Sequence, residues 1–180
     1  MKLKVRLGNV LGRLVGILEL VGLKYPVKHY VDTVAIASLY RGSRVEDMET
    51  YLELDRLGVT TIVDLCAEGN LDAKAPPSVF KIVRIPVIDN TAPFENQVAS
   101  FINLVEEVNA LGKAVFVHCE AGIGRTGTFV ACWRISVCGF TAEEALEEAA
   151  EYGNMVQAQK DFIYKWAMDH ESQDLPKNES

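Results

Sequence analysis

Apolar residues along the chain follow two alternating patterns, short continuous runs and longer stretches with helical spacing. Short apolar runs bounded by glycine or polar residues are typical of buried strands, and they occur at 34–39, 60–65, 81–87 and 114–117. Apolar residues at intervals of three or four predict helices at 45–57, 94–111, 124–137 and 156–168, and a capping box at Thr141 begins another that ends near Gly153. This alternation predicts a single α/β domain with a mainly parallel central sheet of about four to five strands flanked by helices.

The N-terminal segment differs from the rest of the chain in charge and pattern. Residues 1–28 carry six lysines and arginines against one acidic residue, Glu19, among many leucines, valines and glycines. Arg13 and Glu19 interrupt the apolar stretch, so it lacks the ~20 uncharged residues of a membrane span and the apolar region of a secretory signal. We expect a basic, apolar arm or helix packed on the domain; the alternative is an amphipathic helix in peripheral contact with a membrane. Residues 29–170 then form the main domain, and we expect the polar tail 171–180 to be disordered.

Overall charge and cysteine usage narrow the class of protein. The formal net charge of the 180 residues is -7, which argues against a nucleic-acid partner, because phosphate-backbone binding needs a dense cationic surface. The cysteines lie in or beside apolar runs, without the spacing of a zinc site, at positions 66, 119, 132 and 138. Cysteines placed in this way predict reduced thiols and a cytoplasmic location.

The stretch 117–127 carries the chemistry, because it follows an apolar strand and opens a helix. A strand that turns directly into a helix N-terminus presents several backbone N–H groups to one point, where the helix dipole adds positive potential. Glycines at 122, 124 and 127 let the backbone close around a tetrahedral anion. The amides of residues 120–125 are therefore expected to bind phosphate.

Two side chains stand at the ends of this loop. Cys119 begins it, and the positive field that binds an anion also favours a thiolate, which is the nucleophilic form of cysteine. Arg125 ends it, and a guanidinium can grip two phosphate oxygens and hold them as charge develops in the transition state. Loop amides and Arg125 together supply the positive charge, so we expect no metal and no other cofactor.

The motif His118-Cys119-x-x-Gly122-x-Gly124-Arg125-Thr126-Gly127 resembles the signature loop of the cysteine-based protein tyrosine phosphatase superfamily. The resemblance covers about residues 35–168, and the short stretches 39–43 and 62–65 are similar to the first strands of compact dual-specificity members. It implies a dual-specificity phosphatase-like fold and a catalytic domain over 29–170. The implied reaction is hydrolysis of phosphate monoesters through a phosphocysteine intermediate. The phosphate-binding residues would be Glu120, Ala121, Gly122, Ile123, Gly124 and Arg125.

Further roles follow from the resemblance. The family places an aspartate general acid on a loop after the strand that precedes the signature strand, and Asp89 fits that location better than Asp64 or Glu68, which sit nearer a strand end.

Thr126 would donate a hydrogen bond to the departing thiolate, and His118 would order the loop by hydrogen bonding. Gln159, which matches the family position better than Gln157, would position the hydrolytic water.

The sequence leaves two classes of substrate open. Cys66 and the stretch 89–93 resemble the phosphoinositide 3-phosphatase branch, in which a cysteine at this position pairs reversibly with the catalytic one; a buried small apolar residue is the other interpretation of Cys66. That branch has lysines in the signature loop, where this chain has Glu120 and Ile123. The same loop is also similar to that of cysteine phytases. The acidic balance favours phosphotyrosine proteins, with phosphoserine and phosphothreonine as further substrates; the alternative is a phosphorylated lipid or inositol polyphosphate.

Overall fold

The computed structural model describes residues 30–35, 37–68 and 77–171. The proposed arm over residues 1–28 lies outside these ranges, and so do all but the first residue of the predicted tail. The strands are β1 (Val31–Ala35), β2 (Leu39–Gly42), β3 (Val59–Cys66), β4 (Lys81–Val87) and β5 (Ala114–His118). The helices are α1 (Met48–Arg56), α2 (Glu95–Ala110), α3 (Gly124–Cys138), α4 (Ala142–Ala150) and α5 (Gln157–Glu171).

The strands form one sheet in the order β1-β2-β5-β3-β4. Pairing is antiparallel between β1 and β2 and parallel for the other three pairs. The predicted α/β fold with a mainly parallel sheet is therefore confirmed. The strand β5, which leads into the signature loop, lies in the centre of this sheet, so the loop projects from its carboxyl edge where ligands of open α/β sheets commonly bind.

One strand prediction was wrong. The apolar run 34–39 was expected to be one strand, but it spans the end of β1, a turn and the start of β2. The amide of Ser38 donates to the carbonyl of Ala35 at 3.1 Å, and Ala37 has a positive φ of 56°, so the chain reverses here. Arg41, a charged residue just beyond the predicted apolar run, belongs to β2 and is 1% exposed. Hydrophobicity cannot reveal a buried arginine, and so the pattern misplaced the strand.

Apolar side chains pack on both faces of the sheet. Alternate residues of β5 point to opposite faces, so Val117 packs in the larger cluster with helices α2, α3, α4 and α5, whereas Phe116 faces α1. In the larger cluster the rings of Phe101 and Phe129 meet edge to face with centroids 5.4 Å apart. Both faces of β5 are thus fixed by packing, which holds the start of the signature loop in place.

Helix ends agree with the sequence signals. The predicted capping box is present, because the Thr141 side chain accepts from the amide of Glu144 and the Glu144 side chain accepts from the amide of Thr141. Helix α3 ends at Gly139, which has the left-handed φ of 67° that favours glycine. Within the described residues, no helix combines the length and apolar character that crossing a membrane requires.

Candidate active site

The signature loop lies between the end of β5 and the start of α3, as the sequence predicted. Cys119 follows β5 directly and is only 3% exposed. Within the described part of the chain, the amides of residues 120–123 donate to no backbone carbonyl or side chain. These N–H groups, together with the free N–H groups of the first turn of α3, can therefore bind an anion.

The carbonyl groups of the loop are held from its outer side. Nδ1 of His118 donates to the carbonyl oxygen of Cys119 at 3.2 Å, and the amide of Arg44 donates to the carbonyl oxygen of Glu120 at 3.1 Å. In a planar trans peptide the C=O and the following N–H point in opposite directions. Fixing these carbonyls outward therefore turns the next amides, those of Glu120 and Ala121, inward. The ordering role expected of His118 agrees with this contact.

The Gly122 carbonyl is held by two side chains that the sequence analysis did not single out. It accepts from Oη of Tyr30 at 2.9 Å and from Nη2 of Arg41 at 2.6 Å. Gly122 has a φ of 75°, and a Cβ at this position would collide with Tyr30 and with the backbone of Gly42. Only glycine fits here, both for its conformation and for the space.

Arg125 is buried behind the loop and is bound by Glu68. Nη2 of Arg125 lies 2.6 Å from Oε1 of Glu68, and Nη1 lies 2.7 Å from Oε2, which makes the pair bidentate. Nη1 also donates to the carbonyl of Val87 at 3.1 Å, whereas Nε has no hydrogen-bond partner in the described part of the chain. Burial would lower the pKa of Arg125, but Glu68 and the charges of Cys119 and Asp89 outweigh it, so the pKa is raised. The edge formed by Nε and Nη2 is available to phosphate once the Asp89 carboxyl, 3.1 Å from Nη2, moves away.

Asp89 lies at the same arginine. Its Oδ1 is 3.1 Å from Nη2 of Arg125, and its side chain is 60% exposed. The loop turns sharply here, because the amide of Thr91 donates to the carbonyl of Ile88 at 3.2 Å and Asn90 has a φ of 59°. To protonate a leaving group, Asp89 must move its carboxyl from Arg125 to the substrate oxygen, which its exposure permits.

The two rival carboxylates are placed less well for proton donation. Asp64 is 1% exposed, and its Oδ1 accepts from the amide of Cys66 at 2.9 Å. Hydrogen bonding from Arg125 outweighs partial burial and lowers the pKa of Glu68, so that this carboxyl is held as the anion. The choice of Asp89 as acid stays a prediction, and the geometry favours it.

Thr126 and Gln159 both lie buried at the loop. Oγ1 of Thr126 has no hydrogen-bond partner in the described residues, so it is free to donate to a thiolate. Gln159 is 2% exposed, whereas Gln157 is exposed and donates to Asp161. Nε2 of Gln159 donates to the carbonyl of Thr91 at 3.1 Å, so this side chain joins the start of α5 to the loop of Asp89.

Gln159 also lies against the start of α3. A Cβ added to Gly124 would come within 2.8 Å of its Oε1, which itself accepts from the amide of Val156 at 3.3 Å. One N–H of the amide group remains for a water molecule. Gln159 thus contacts both the Asp89 loop and the start of α3. The helical spacing of apolar residues in the sequence could not predict these contacts.

Cys66 belongs to a buried polar cluster beside the signature loop. One donor atom each of Asp64, Cys66 and His118 lie within 4.8 Å of one another, which is the spacing of a metal site. However, Nε of Arg84 lies 3.4 Å from Oδ2 of Asp64, and Arg44 hydrogen-bonds Cys66, so positive charge already faces the cluster. We interpret it as an ion-pair network rather than a metal site.

The thiol of Cys66 is protonated at neutral pH. Burial raises its pKa to about 11, and the hydrogen bond from Arg44 offsets only part of this effect. Burial likewise lowers the pKa of His118, in spite of the nearby charge of Asp64. Cys66 and Cys119 are both free thiols in the structure. Their pairing under oxidation stays a prediction.

This fold and site define a member of the cysteine-based protein tyrosine phosphatase superfamily, of the compact dual-specificity type. Residues 25–165 match the family model described as "DSP-PTPase phosphatase fused to NAD+ Kinase", and the chain belongs to that family.

Two curated relatives and one solved structure illustrate the similarity. The tyrosine-protein phosphatase cdc-14 of Caenorhabditis elegans is 38% identical over 88 residues, which is 49% of this chain and 12% of that protein. The dual specificity protein phosphatase CDC14A of Mus musculus is 32% identical over 107 residues, or 58% of this chain and 17% of that protein. The chain thus spans less than a fifth of either relative. The crystal structure of PTPMT1 in complex with PI(5)P shares the fold, with a TM-score of 0.69 at 18% identity, covering 80% of this chain and 98% of that one.

Proposed function

We propose that this chain is a phosphoric monoester hydrolase that works through a phosphocysteine intermediate. The observation that carries the proposal is the placement of buried Cys119 and Arg125 at the two ends of a loop whose amides lack acceptors in the described residues. Such a loop binds a tetrahedral dianion and stabilises charge that develops on its oxygens. Glu68 and Asp89 complete the set by holding Arg125 and by supplying a proton.

In the first step Sγ of Cys119 attacks phosphorus while the bond from phosphorus to the ester oxygen breaks. The amides of residues 120–125 bind the equatorial oxygens, and the Nε edge of Arg125 binds two of them. Asp89 gives its proton to the leaving oxygen, so the alcohol or phenol departs neutral. The products of this step are the free alcohol and phosphocysteine.

In the second step water attacks the phosphorus of the phosphocysteine. Asp89, now a carboxylate, takes one proton from the water, and Gln159 orients the water through its remaining N–H. The bond between phosphorus and sulfur breaks, and the thiolate accepts a hydrogen bond from Oγ1 of Thr126. Inorganic phosphate leaves, and Asp89 is protonated for the next cycle.

Phosphotyrosine in proteins is the proposed substrate, with phosphoserine and phosphothreonine as secondary ones. The side chains of Glu68, Asp89 and Glu120 are 45%, 60% and 56% exposed at the signature loop, and this acidic rim disfavours a substrate with many phosphates. Ile88 and Phe94, at the two ends of the Asp89 loop, are 69% and 76% exposed. These apolar side chains are available to contact a peptide.

A phosphoinositide or inositol polyphosphate is the second candidate. The fold shared with PTPMT1, whose crystal structure contains PI(5)P, favours this second candidate. The alignment covers 80% of this chain and 98% of the PTPMT1 chain. Residues 1–28, outside the described residues, supply basic charge that would bring such an enzyme to an anionic membrane. For either substrate we propose a cytoplasmic location, which the free thiols support.

A turnover panel distinguishes the candidates. Phosphotyrosine and phosphoserine peptides are compared with phosphoinositide vesicles and soluble inositol polyphosphates at equal phosphate concentration. We expect the phosphotyrosine peptide to have a kcat/KM at least about tenfold higher, equivalent to 1.4 kcal/mol in the transition state. The reverse preference would establish the lipid or inositol alternative.

The intermediate is tested separately by rapid acid quench with a 32P-labelled phosphotyrosine peptide. Label should appear on the protein and disappear in Cys119→Ser, which is expected to lose turnover but still bind phosphate esters. Cys138→Ser serves as the matched control, because Cys138 lies at the far end of α3. Turnover by Cys119→Ser at the parent rate would overturn the proposed mechanism.

A further inference from the structure

Arg41 is a buried cation beneath the signature loop. It lies on β2, where it is paired in register with Val117 of β5, and it is 1% exposed. Its guanidinium carbon lies 3.7 Å from the ring centroid of Tyr152, and its Nη2 donates to the Gly122 carbonyl at 2.6 Å. Burying a charge costs free energy unless its contacts compensate, so these contacts indicate a specific task.

Tyr30 reinforces the same carbonyl from a second direction. Its Oη donates to Gly122 at 2.9 Å, and its ring stacks on Tyr152 with centroids 6.2 Å apart. The hydroxyl of Tyr152 donates to Oδ2 of Asp32 at 2.7 Å. Tyr152 is thereby fixed between Tyr30 and Arg41, so both donors to the carbonyl are held in defined positions.

The Gly122 carbonyl determines the direction of one amide that faces the phosphate. Since the peptide is planar and trans, a carbonyl that points toward Tyr30 and Arg41 sends the N–H of Ile123 the opposite way, into the loop. Two donors on one oxygen, one of them charged, also polarise the peptide and strengthen its N–H as a donor. If the carbonyl were free to rotate inward, its oxygen would repel a phosphate oxygen.

We propose that Arg41 and Tyr30 are positioning residues of the phosphate site, which act by holding the Gly122 carbonyl outward so that the amide of Ile123 faces the substrate phosphate. The inference deepens the proposed function and rests on it, since it concerns the same loop. Neither side chain touches the reacting atoms; both act through one peptide group.

Arg134 provides a matched control. It is also largely buried, and its Nη2 donates to a backbone carbonyl, that of Val34, at 2.7 Å, while the same atom lies 2.7 Å from Oε1 of Glu148. It lies on the last turns of α3, away from the signature loop. Replacing Arg134 removes a buried arginine of the same kind without changing the loop. Loss of stability alone can therefore be separated from loss of phosphate binding.

The test measures tungstate binding by isothermal titration calorimetry in the Cys119→Ser background, so that turnover plays no part. Tyr30→Phe keeps the ring stack and removes one hydrogen bond, which should weaken tungstate binding about threefold to tenfold. Arg41→Met should weaken tungstate binding by about tenfold or more. Arg41→Lys keeps the positive charge and should weaken tungstate binding less than Arg41→Met does. Arg134→Met should lower the melting temperature and leave the tungstate affinity within about twofold of the parent.

Kinetics on a phosphotyrosine peptide add a second readout, in which Tyr30→Phe in the otherwise native chain should reduce kcat/KM in the same proportion as tungstate affinity. The proposal is overturned if Tyr30→Phe leaves tungstate affinity unchanged, even where Arg41→Met fails to fold. It is also overturned if Arg134→Met weakens tungstate binding as much as Arg41→Lys does. Failure of the proposed function has a different signature, namely no turnover of any phosphomonoester by the parent while the variants still weaken tungstate binding.

Discussion

Glu68 and Arg125 form a bidentate ion pair, with oxygen to nitrogen distances of 2.6 and 2.7 Å. Arg125 is buried, whereas the side chain of Glu68 is 45% exposed. A buried guanidinium on a flexible stem needs a fixed partner to keep one orientation. Glu68 takes the Nη1 and Nη2 edge, so the remaining edge can face the phosphate.

Glu68→Gln should lower kcat/KM about tenfold, because an amide offers one acceptor where the carboxylate offers two, and Arg125 loses its fixed orientation. Phosphatase kinetics with a phosphotyrosine peptide measure the effect. Glu95→Gln is the control, since Glu95 also forms an ion pair, with Lys165, but lies outside the site. Equal activity of Glu68→Gln and the parent would show that Arg125 does not depend on this carboxylate.

The ion pair between Glu68 and Arg125 should make the free energy of unfolding depend on pH in the acidic range. Since the hydrogen bond from Arg125 lowers the pKa of Glu68 below its ordinary value of 4.5, the pair contributes stability above that pH and loses it as pH falls through the folded-state pKa. Urea denaturation at a series of pH values between about 3 and 6 measures this difference. Glu68→Gln should have a shallower loss of stability than the parent. A parallel pH dependence of the two proteins would contradict the assignment.

The order of elements could be predicted because strands and helices differ in the period of their apolar residues. β4 and α2 lie close to their predicted ranges. The region 34–43 could not be predicted in this way, since Arg41 reads as polar, yet its charge is stabilised inside the protein by Gly122 and Tyr152. Tertiary contacts, which hydrophobicity does not encode, decide the strand here.

The signature loop could be predicted because its residues are contiguous, so that local backbone geometry alone brings Cys119 and Arg125 together. The residues that hold the loop come from distant parts of the chain. Tyr30 is 92 residues from the carbonyl it binds, and Glu68 is 57 residues from Arg125. No local spacing connects such pairs. The order of β1, β2, β5 and β3 in the sheet brings them together.

Asp89→Asn should affect poor leaving groups more than good ones. An alkyl phosphate expels a basic alkoxide and needs the proton, whereas an activated phenol leaves without it. We expect a loss of about 100-fold or more with an alkyl phosphate and a clearly smaller loss with p-nitrophenyl phosphate. Asp55→Asn, an exposed change on α1, is the control. Equal losses for both substrates would assign the general acid to another residue.

Cys66 is expected to protect Cys119 during oxidation. Burial raises the pKa of Cys66 to about 11, so peroxide should not oxidise this thiol first at neutral pH. The Cys66 thiol should instead react with Cys119 after peroxide has oxidised Cys119, and so form a disulfide. Brief peroxide treatment followed by dithiothreitol should restore activity to the parent but much less to Cys66→Ser. Cys138→Ser should recover as the parent does. Full recovery of Cys66→Ser would leave Cys66 with a packing role only.

Gln159→Ala should slow the second chemical step more than the first. Removing the amide takes away the N–H available to the water and also the bond to the Thr91 carbonyl that holds the Asp89 loop. Phosphocysteine should therefore accumulate, so that stopped-flow traces with p-nitrophenyl phosphate show a burst followed by a steady rate reduced about tenfold. Gln157→Ala, two residues away on the exposed face of α5, should behave as the parent. A reduced rate without a burst would instead mean that Gln159 acts only through the position of Asp89.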